Sequence, residues 1–169
     1  MSNFSRRAFL GSAGTATVYK LVPSAQARGR AFGHNDTIRL GHIGVGVQGS
    51  GLLDEFKKMP GVKPTVAADL YDGYLLHAKE ATGNTIETTK DYRAVLDRKD
   101  IDAVVIATPD HLHFRMVLDA LDAGKHVYIE KPLTWTLDEG THIIRAEKST
   151  GKLLQVGSQA KSSALTAKA

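Results

Sequence analysis

Three features of this chain predict an α/β fold built on a doubly wound parallel sheet. Short apolar runs alternate with helix-compatible stretches from residue 38 to residue 156, the order that places helices on both faces of a parallel sheet. Residues 102–108, DAVVIAT, form a continuous, largely β-branched run, as a strand buried on both faces requires. The first apolar run ends in Gly44, Gly46 and Gly49 at G-x-G-x-x-G spacing. Glycines so placed let a strand turn at once into a helix.

The elements follow in order. Strand one is read at Ile38 to Ile43 and helix one at Val47 to Lys58. Met59-Pro60-Gly61 ends that helix, because proline cannot continue it and glycine suits the stop. Strand two spans Pro64 to Ala68. A helix over residues 72 to 82 is closed by Gly83 and Asn84. A short strand near Thr85 to Glu87 leads to Asp91, the expected N-cap of a helix from Tyr92 to Arg98. Pro109 stops the fourth strand, and Asp110 is placed to cap a helix reaching Ala123. Gly124 breaks that helix before strand five, His126 to Glu130. A last helix, Leu137 to Ser149, ends at Gly151, and Leu153 to Val156 makes a sixth strand. The expected strand order is 3-2-1-4-5-6, with right-handed crossovers.

The glycine triplet, with strand before and helix after, is the fingerprint of a dinucleotide-binding βαβ unit. In the loop GVGVQG, Gly44 permits the tight turn and Gly46 lets bare backbone approach a pyrophosphate. Gly49 lets helix and strand pack closely, and Val47 and Gln48 stand between them. Phosphates would sit on the unpaired N–H groups at the positive end of the helix. Twenty residues past Gly49, the run PTVAADL carries Asp69. Its carboxylate would accept hydrogen bonds from an adenosine ribose diol and repel a 2′-phosphate, which favours NAD over NADP. An ordinary glycine-rich turn is the competing reading. It leaves the second strand and its acid at this distance without explanation.

Composition narrows the rest. With no cysteine among its 169 residues the chain has no disulfide, thiolate metal site or cysteine nucleophile. The formal charge of +4 arises largely at the N-terminus, where residues 1 to 27 hold Arg6, Arg7 and Lys20 and no acid. Taking those three from the 22 basic residues leaves 19 against 18 acidic ones. A near-neutral body without a basic run makes nucleic acid an unsuitable partner. Within the leader, Ser5, Arg6, Arg7, Ala8, Phe9 and Leu10 match the twin-arginine export pattern S-R-R-x-F-L, and Ala25-Gln26-Ala27 offers a cleavage site. The apolar part, interrupted by Lys20, is too short for a membrane span, so no stable membrane anchor is expected. Residues 1–27 are therefore read as a twin-arginine signal, 28–37 as a linker and 38–159 as the nucleotide-binding domain. A periplasmic or secreted location follows. That route carries folded proteins, so a cofactor used outside would be loaded before transport and held tightly.

At the ends of strands four and five stand the segments ATPDHLH and EKP, at the sheet edge where ligands of such folds lie. Together with GVGVQG, ADLYD, AGKHVYIEKPL and GKLLQVGSQ, they make the chain resemble the Gfo/Idh/MocA oxidoreductases over residues 38 to about 159. The resemblance implies a Rossmann domain followed by an α+β substrate domain. Almost none of that second domain would be present, residues 160–169 being the cut-short start of it. It implies that Lys131 is the catalytic residue, reaching both nicotinamide and substrate and donating to the substrate oxygen. Thr108, Pro109, His113, Glu130 and Lys131 join Gly44, Gly46, Val47, Gln48, Gly49 and Asp69 as cofactor-binding residues, and Pro132 fixes the loop that aims the lysine. His111 matches no family position and reads as a solvated loop histidine. His111, His113 and His126 lie near one another in sequence, but no acid or cysteine set completes a metal site, so none is expected.

The resulting expectation is the NAD-binding half of an exported oxidoreductase acting on a sugar or polyol. This chain alone would bind cofactor without turning over substrate. Two other readings stand beside it: a non-catalytic dinucleotide-binding module and an inactive truncated fragment. A sheet left without its second domain is also expected to associate, as a homo-oligomer for instance.

Overall fold

The computed structural model describes residues 37–158. The predicted twin-arginine leader, most of the linker and residues 160–169 lie outside them. Six strands form one parallel sheet in the order β3-β2-β1-β4-β5-β6, the expected doubly wound arrangement. The strands are β1 (Ile38–Ile43), β2 (Val62–Ala68), β3 (Glu87–Thr89), β4 (Ala103–Ile106), β5 (His126–Glu130) and β6 (Leu154–Gly157). Five helices connect them: α1 (Val47–Phe56), α2 (Asp72–Ala81), α3 (Tyr92–Leu96), α4 (Asp110–Asp122) and α5 (Leu137–Thr150).

Strand alternation divides the core into two layers. On one face Val45, Ala67, Leu53, Leu75, Ala78 and Ile86 pack together, joining the sheet to α1 and α2. On the other, Ile43, Val66, Ala68, Val104, Ile106, Val127 and Ile129 meet Val95, Val117, Leu121 and Ile143 of α3, α4 and α5. Ile43, Val104, Ile106 and Ile129 are at most 1% exposed. Each such side chain contributes about 1.5–3 kcal/mol of burial free energy.

Several boundaries differ from the sequence reading, each for a local reason. β2 begins at Val62, two residues before Pro64. There β2 pairs only with β1, since β3 joins it from Val66 onward. The missing proline N–H therefore breaks no second ladder, and the β1–β2 register shifts beside it, between Leu40 and Gly41. β3 lies at Glu87–Thr89 rather than at residues 85 to 87, because its pairing with Val66–Ala68 sets its place. Asp110 does not cap α4: Pro109 occupies the N-cap position without a side-chain hydrogen bond, and Asp110 is the first helical residue. Asp91 does cap α3, its Oδ1 accepting the Arg93 N–H at 3.0 Å. α5 starts with a capping box of Thr136 and Glu139 and stops at Gly151 in the left-handed conformation.

Candidate functional site

The site lies along the carboxyl edge of the sheet, where β1, β2, β4 and β5 end. Gly44 follows β1 with φ of +83°, and a Cβ there would stand 2.7 Å from the Ala107 carbonyl oxygen. Its N–H donates to the Ala68 carbonyl at 2.8 Å, so the turn is tied to β2. A Cβ on Gly49 would collide with the Gly44 carbonyl oxygen, which shows how closely α1 lies on the turn it leaves. Gly46 is the N-cap of α1 and supplies no side-chain cap. The first-turn N–H groups of α1 have no intrahelical acceptor and carry the positive end of the helix dipole. Val47 stands at that tip, 88% exposed.

Asp69 secures the loop from β2. Its Oδ2 accepts the Val45 N–H at 2.9 Å and its Oδ1 accepts the Tyr71 N–H at 3.0 Å. Each carboxylate oxygen has a second lone pair for a ligand hydroxyl. Asp69 thus holds the glycine turn as well as facing a cleft of about 820 Å³. That cleft brings Gly44, Gly46 and Asp69 together with Thr108 and Pro109, and Tyr74 of α2 and Tyr92 of α3 close it.

Glu130 ends β5 and is 4% exposed. Its Oε1 accepts the Gln48 side-chain N–H at 3.0 Å. Its Oε2 receives the Lys131 backbone N–H at 3.3 Å. The glycine loop and the EKP segment, 82 residues apart between Gln48 and Glu130, are thereby joined. Lys131 follows with an exposed side chain, and its peptide bond to Pro132 is cis.

His113 takes a different place from the lining role the resemblance implies. Its ring is 1% exposed, with Nδ1 2.7 Å from the Pro132 carbonyl oxygen and Nε2 2.9 Å from the Thr108 carbonyl oxygen. It braces the segment after Lys131 against the end of β4. His111 is exposed on α4 and not in a loop. His126 accepts the Leu153 N–H at its Nδ1, 3.0 Å away. The three histidines thus serve separate surroundings.

Sequence reasoning missed two residues. Tyr74 is a wall of the cleft, and its signal was its place in the first turn after β2, one turn past Tyr71. His42 lies two residues before Gly44, fully buried with neither ring nitrogen hydrogen-bonded among the described residues. Phe56 meets it edge-on at 6.2 Å. Burial lowers the His42 pKa from 6.5 to about 4, so the imidazole is neutral at neutral pH.

A family model described as an oxidoreductase family with an NAD-binding Rossmann fold, Gfo/Idh/MocA, matches residues 38–158. A glycosyl hydrolase family 109 protein of Shewanella baltica is 29% identical over 181 residues, covering 90% of this chain and 39% of its own length. An α-N-acetylgalactosaminidase of Shewanella oneidensis is similar at 29%, with the same coverage of 90% and 39%. Among solved structures, apo scyllo-inositol dehydrogenase from Lactobacillus casei superposes with a TM-score of 0.68 and 30% identity, over 72% of this chain and 36% of that one. The chain spans 39% of the length of the curated relatives it matches.

Proposed function

Because the chain belongs to the Gfo/Idh/MocA oxidoreductase family, with its NAD-binding Rossmann domain at residues 38–158, we propose that it is the cofactor-holding half of an exported oxidoreductase. The reaction is hydride transfer between a sugar or polyol carbinol and a nicotinamide. The observation that carries this reading is the cradle itself. Gly44 and Gly49 leave no room for a Cβ, and the uncapped start of α1 lies beside Asp69 at the mouth of a cleft large enough for an adenosine.

The residues fit a nicotinamide dinucleotide. Gly46 and the first turn of α1 would hold the diphosphate, and Asp69 the adenosine ribose. Thr108 and Pro109 would bound the adenosine end, and Gln48 with Glu130 would frame the other. The Asp69 charge favours NAD over NADP. When bound, the nicotinamide supplies the hydride acceptor or donor. As an ammonium, Lys131 would donate a hydrogen bond to a carbonyl oxygen and pass its proton to that oxygen as hydride arrives at carbon; in the reverse direction the neutral amine would take the hydroxyl proton as hydride leaves. His113 and Glu130 fix the backbone on either side of that lysine.

Two relatives' names support the substrate class, since α-N-acetylgalactosaminidase and scyllo-inositol dehydrogenase both denote enzymes of sugars or cyclic polyols. A second reading, glycoside cleavage at the same edge, is favoured by the family 109 relatives, which align over 90% of the chain. Assaying the protein with cyclic polyols and with N-acetylgalactosaminides separates the two. Reduced cofactor accumulating with polyol supports the first, and release of free sugar supports the second. For the chain itself, calorimetry with NAD and NADP tests the cofactor reading. NAD binding that Gly46→Val abolishes supports it, and a folded chain that binds neither nucleotide refutes it. Export rests on the Arg6-Arg7 pair. Lysines at both positions should leave the protein in the cytoplasmic fraction, and unchanged export would reject the twin-arginine route.

A further inference from the structure

Tyr74 occupies the first turn of α2, five residues beyond Asp69. Its ring shares the cleft with Gly46 and Asp69. A Cβ built on Gly46 would lie 3.4 Å from Cε2 of Tyr74 and 3.8 Å from its Cζ. With Cδ2 at 3.9 Å as well, it is the Cδ2–Cε2–Cζ edge of the ring that stands beside the backbone of the second glycine, where a diphosphate comes closest to bare main chain. The ring is also propped. Tyr71 meets it edge-on with centroids 5.1 Å apart and planes at 84°, and the Tyr74 N–H donates to the Tyr71 carbonyl at 3.1 Å. Tyr71 is in turn held by Asp69 through its own N–H. The residue that faces the ribose thus indirectly sets the place of the tyrosine that faces the loop. Tyr74 remains 38% exposed, so the ring is open to a ligand and its burial is not what the fold depends on.

We propose that Tyr74 is a binding residue of this site, its phenol O–H donating to a diphosphate oxygen seated against Gly46. The proposal rests on the reading of the edge as a dinucleotide cradle. A ring used only as a wall would do as well without its hydroxyl. A phenol adds a neutral donor to the N–H groups of α1, and hydrogen bonds to a charged oxygen are the stronger kind. The phenol also keeps that oxygen on the glycine side of the cleft.

The test uses calorimetry on the whole 169-residue chain with NAD, ADP and adenosine as probes. Wild type is compared with Tyr74→Phe, which keeps the ring, and with Tyr74→Ala, which removes it; thermal melting verifies that both fold. The Phe variant should bind NAD and ADP about tenfold more weakly and adenosine unchanged, as loss of one hydrogen bond to a charged group predicts. The Ala variant should bind NAD no better than the Phe variant. NAD affinity of Tyr74→Phe equal to wild type overturns the proposal, as does an equal loss for adenosine. A wild-type chain that binds none of the probes overturns the cradle reading and the Tyr74 role together. Normal wild-type binding with an indifferent Phe variant overturns the Tyr74 role alone.

Discussion

Lowering the pH should destabilise this domain chiefly through His42. In the folded chain burial holds its pKa at about 4, against 6.5 for an exposed histidine. The unfolded chain therefore binds a proton more readily than the folded one. Stability is fully present above pH 6.5, falls as pH drops through the interval between the two values, and levels off below the folded one. Integrating that linkage gives a loss of about 2 kcal/mol between pH 7 and pH 5 and about 3 kcal/mol in all. Against a typical stability of about 5–15 kcal/mol this is a large fraction. The assay is urea unfolding followed by circular dichroism at pH 7, 6 and 5, for wild type and His42→Leu. His126 is also held low by burial and by Lys152, so it adds a loss of the same sign to both proteins, and subtraction removes it. The carboxylates of Asp54, Glu87 and Asp100 are held below their ordinary values and titrate beneath this window. The wild-type curve should fall about 2 kcal/mol more steeply than the variant's. Parallel curves would refute the argument that an unpartnered imidazole is buried neutral in the sheet.

Three further outcomes follow from the site's geometry. Gly46→Val should abolish NAD binding with little change in melting temperature, whereas Gly49→Ala should cost about 1–3 kcal/mol of stability, because its Cβ meets the Gly44 carbonyl; equal melting temperatures would contradict this. Asp69→Ala should weaken NAD binding in calorimetry and also lower stability by about 1–3 kcal/mol, since the N–H of fully buried Val45 loses its acceptor. His113→Leu should cost about 1–3 kcal/mol in urea unfolding by removing the ring wedged between the Thr108 and Pro132 carbonyls, and with it the one N–H that the imidazole tautomer donates there. Backbone exchange should rise at residues 131–133 in that variant, and unchanged exchange there would show that the brace does not hold the segment.

The sequence by itself determined the order of elements and the strand order, because both are written in local chemistry. Glycines at fixed spacing, a β-branched run over residues 102–108, Pro109 and Gly124 each act within a few residues of where they stand. Asp91 as a cap, Gly151 as a stop and the glycine turn belong to the same class. So do the residues that meet at the carboxyl edge, since a parallel sheet with right-handed crossovers brings every strand end there. The tertiary structure alone decided what those residues do with their polar atoms. The Asp69 carboxylate turns back onto the Val45 and Tyr71 N–H groups. Gln48 reaches Glu130 across 82 residues, and His113 is drawn inside between two carbonyls. β3 likewise takes its place from β2 and not from its own three residues. His42 looks in sequence like any polar residue of a strand, yet the packing of Phe56 on β1 makes it core. Burial and long-range pairing depend on which strands become neighbours. No window of the chain contains that information, because free energy of this kind is gained only once distant segments have excluded water together.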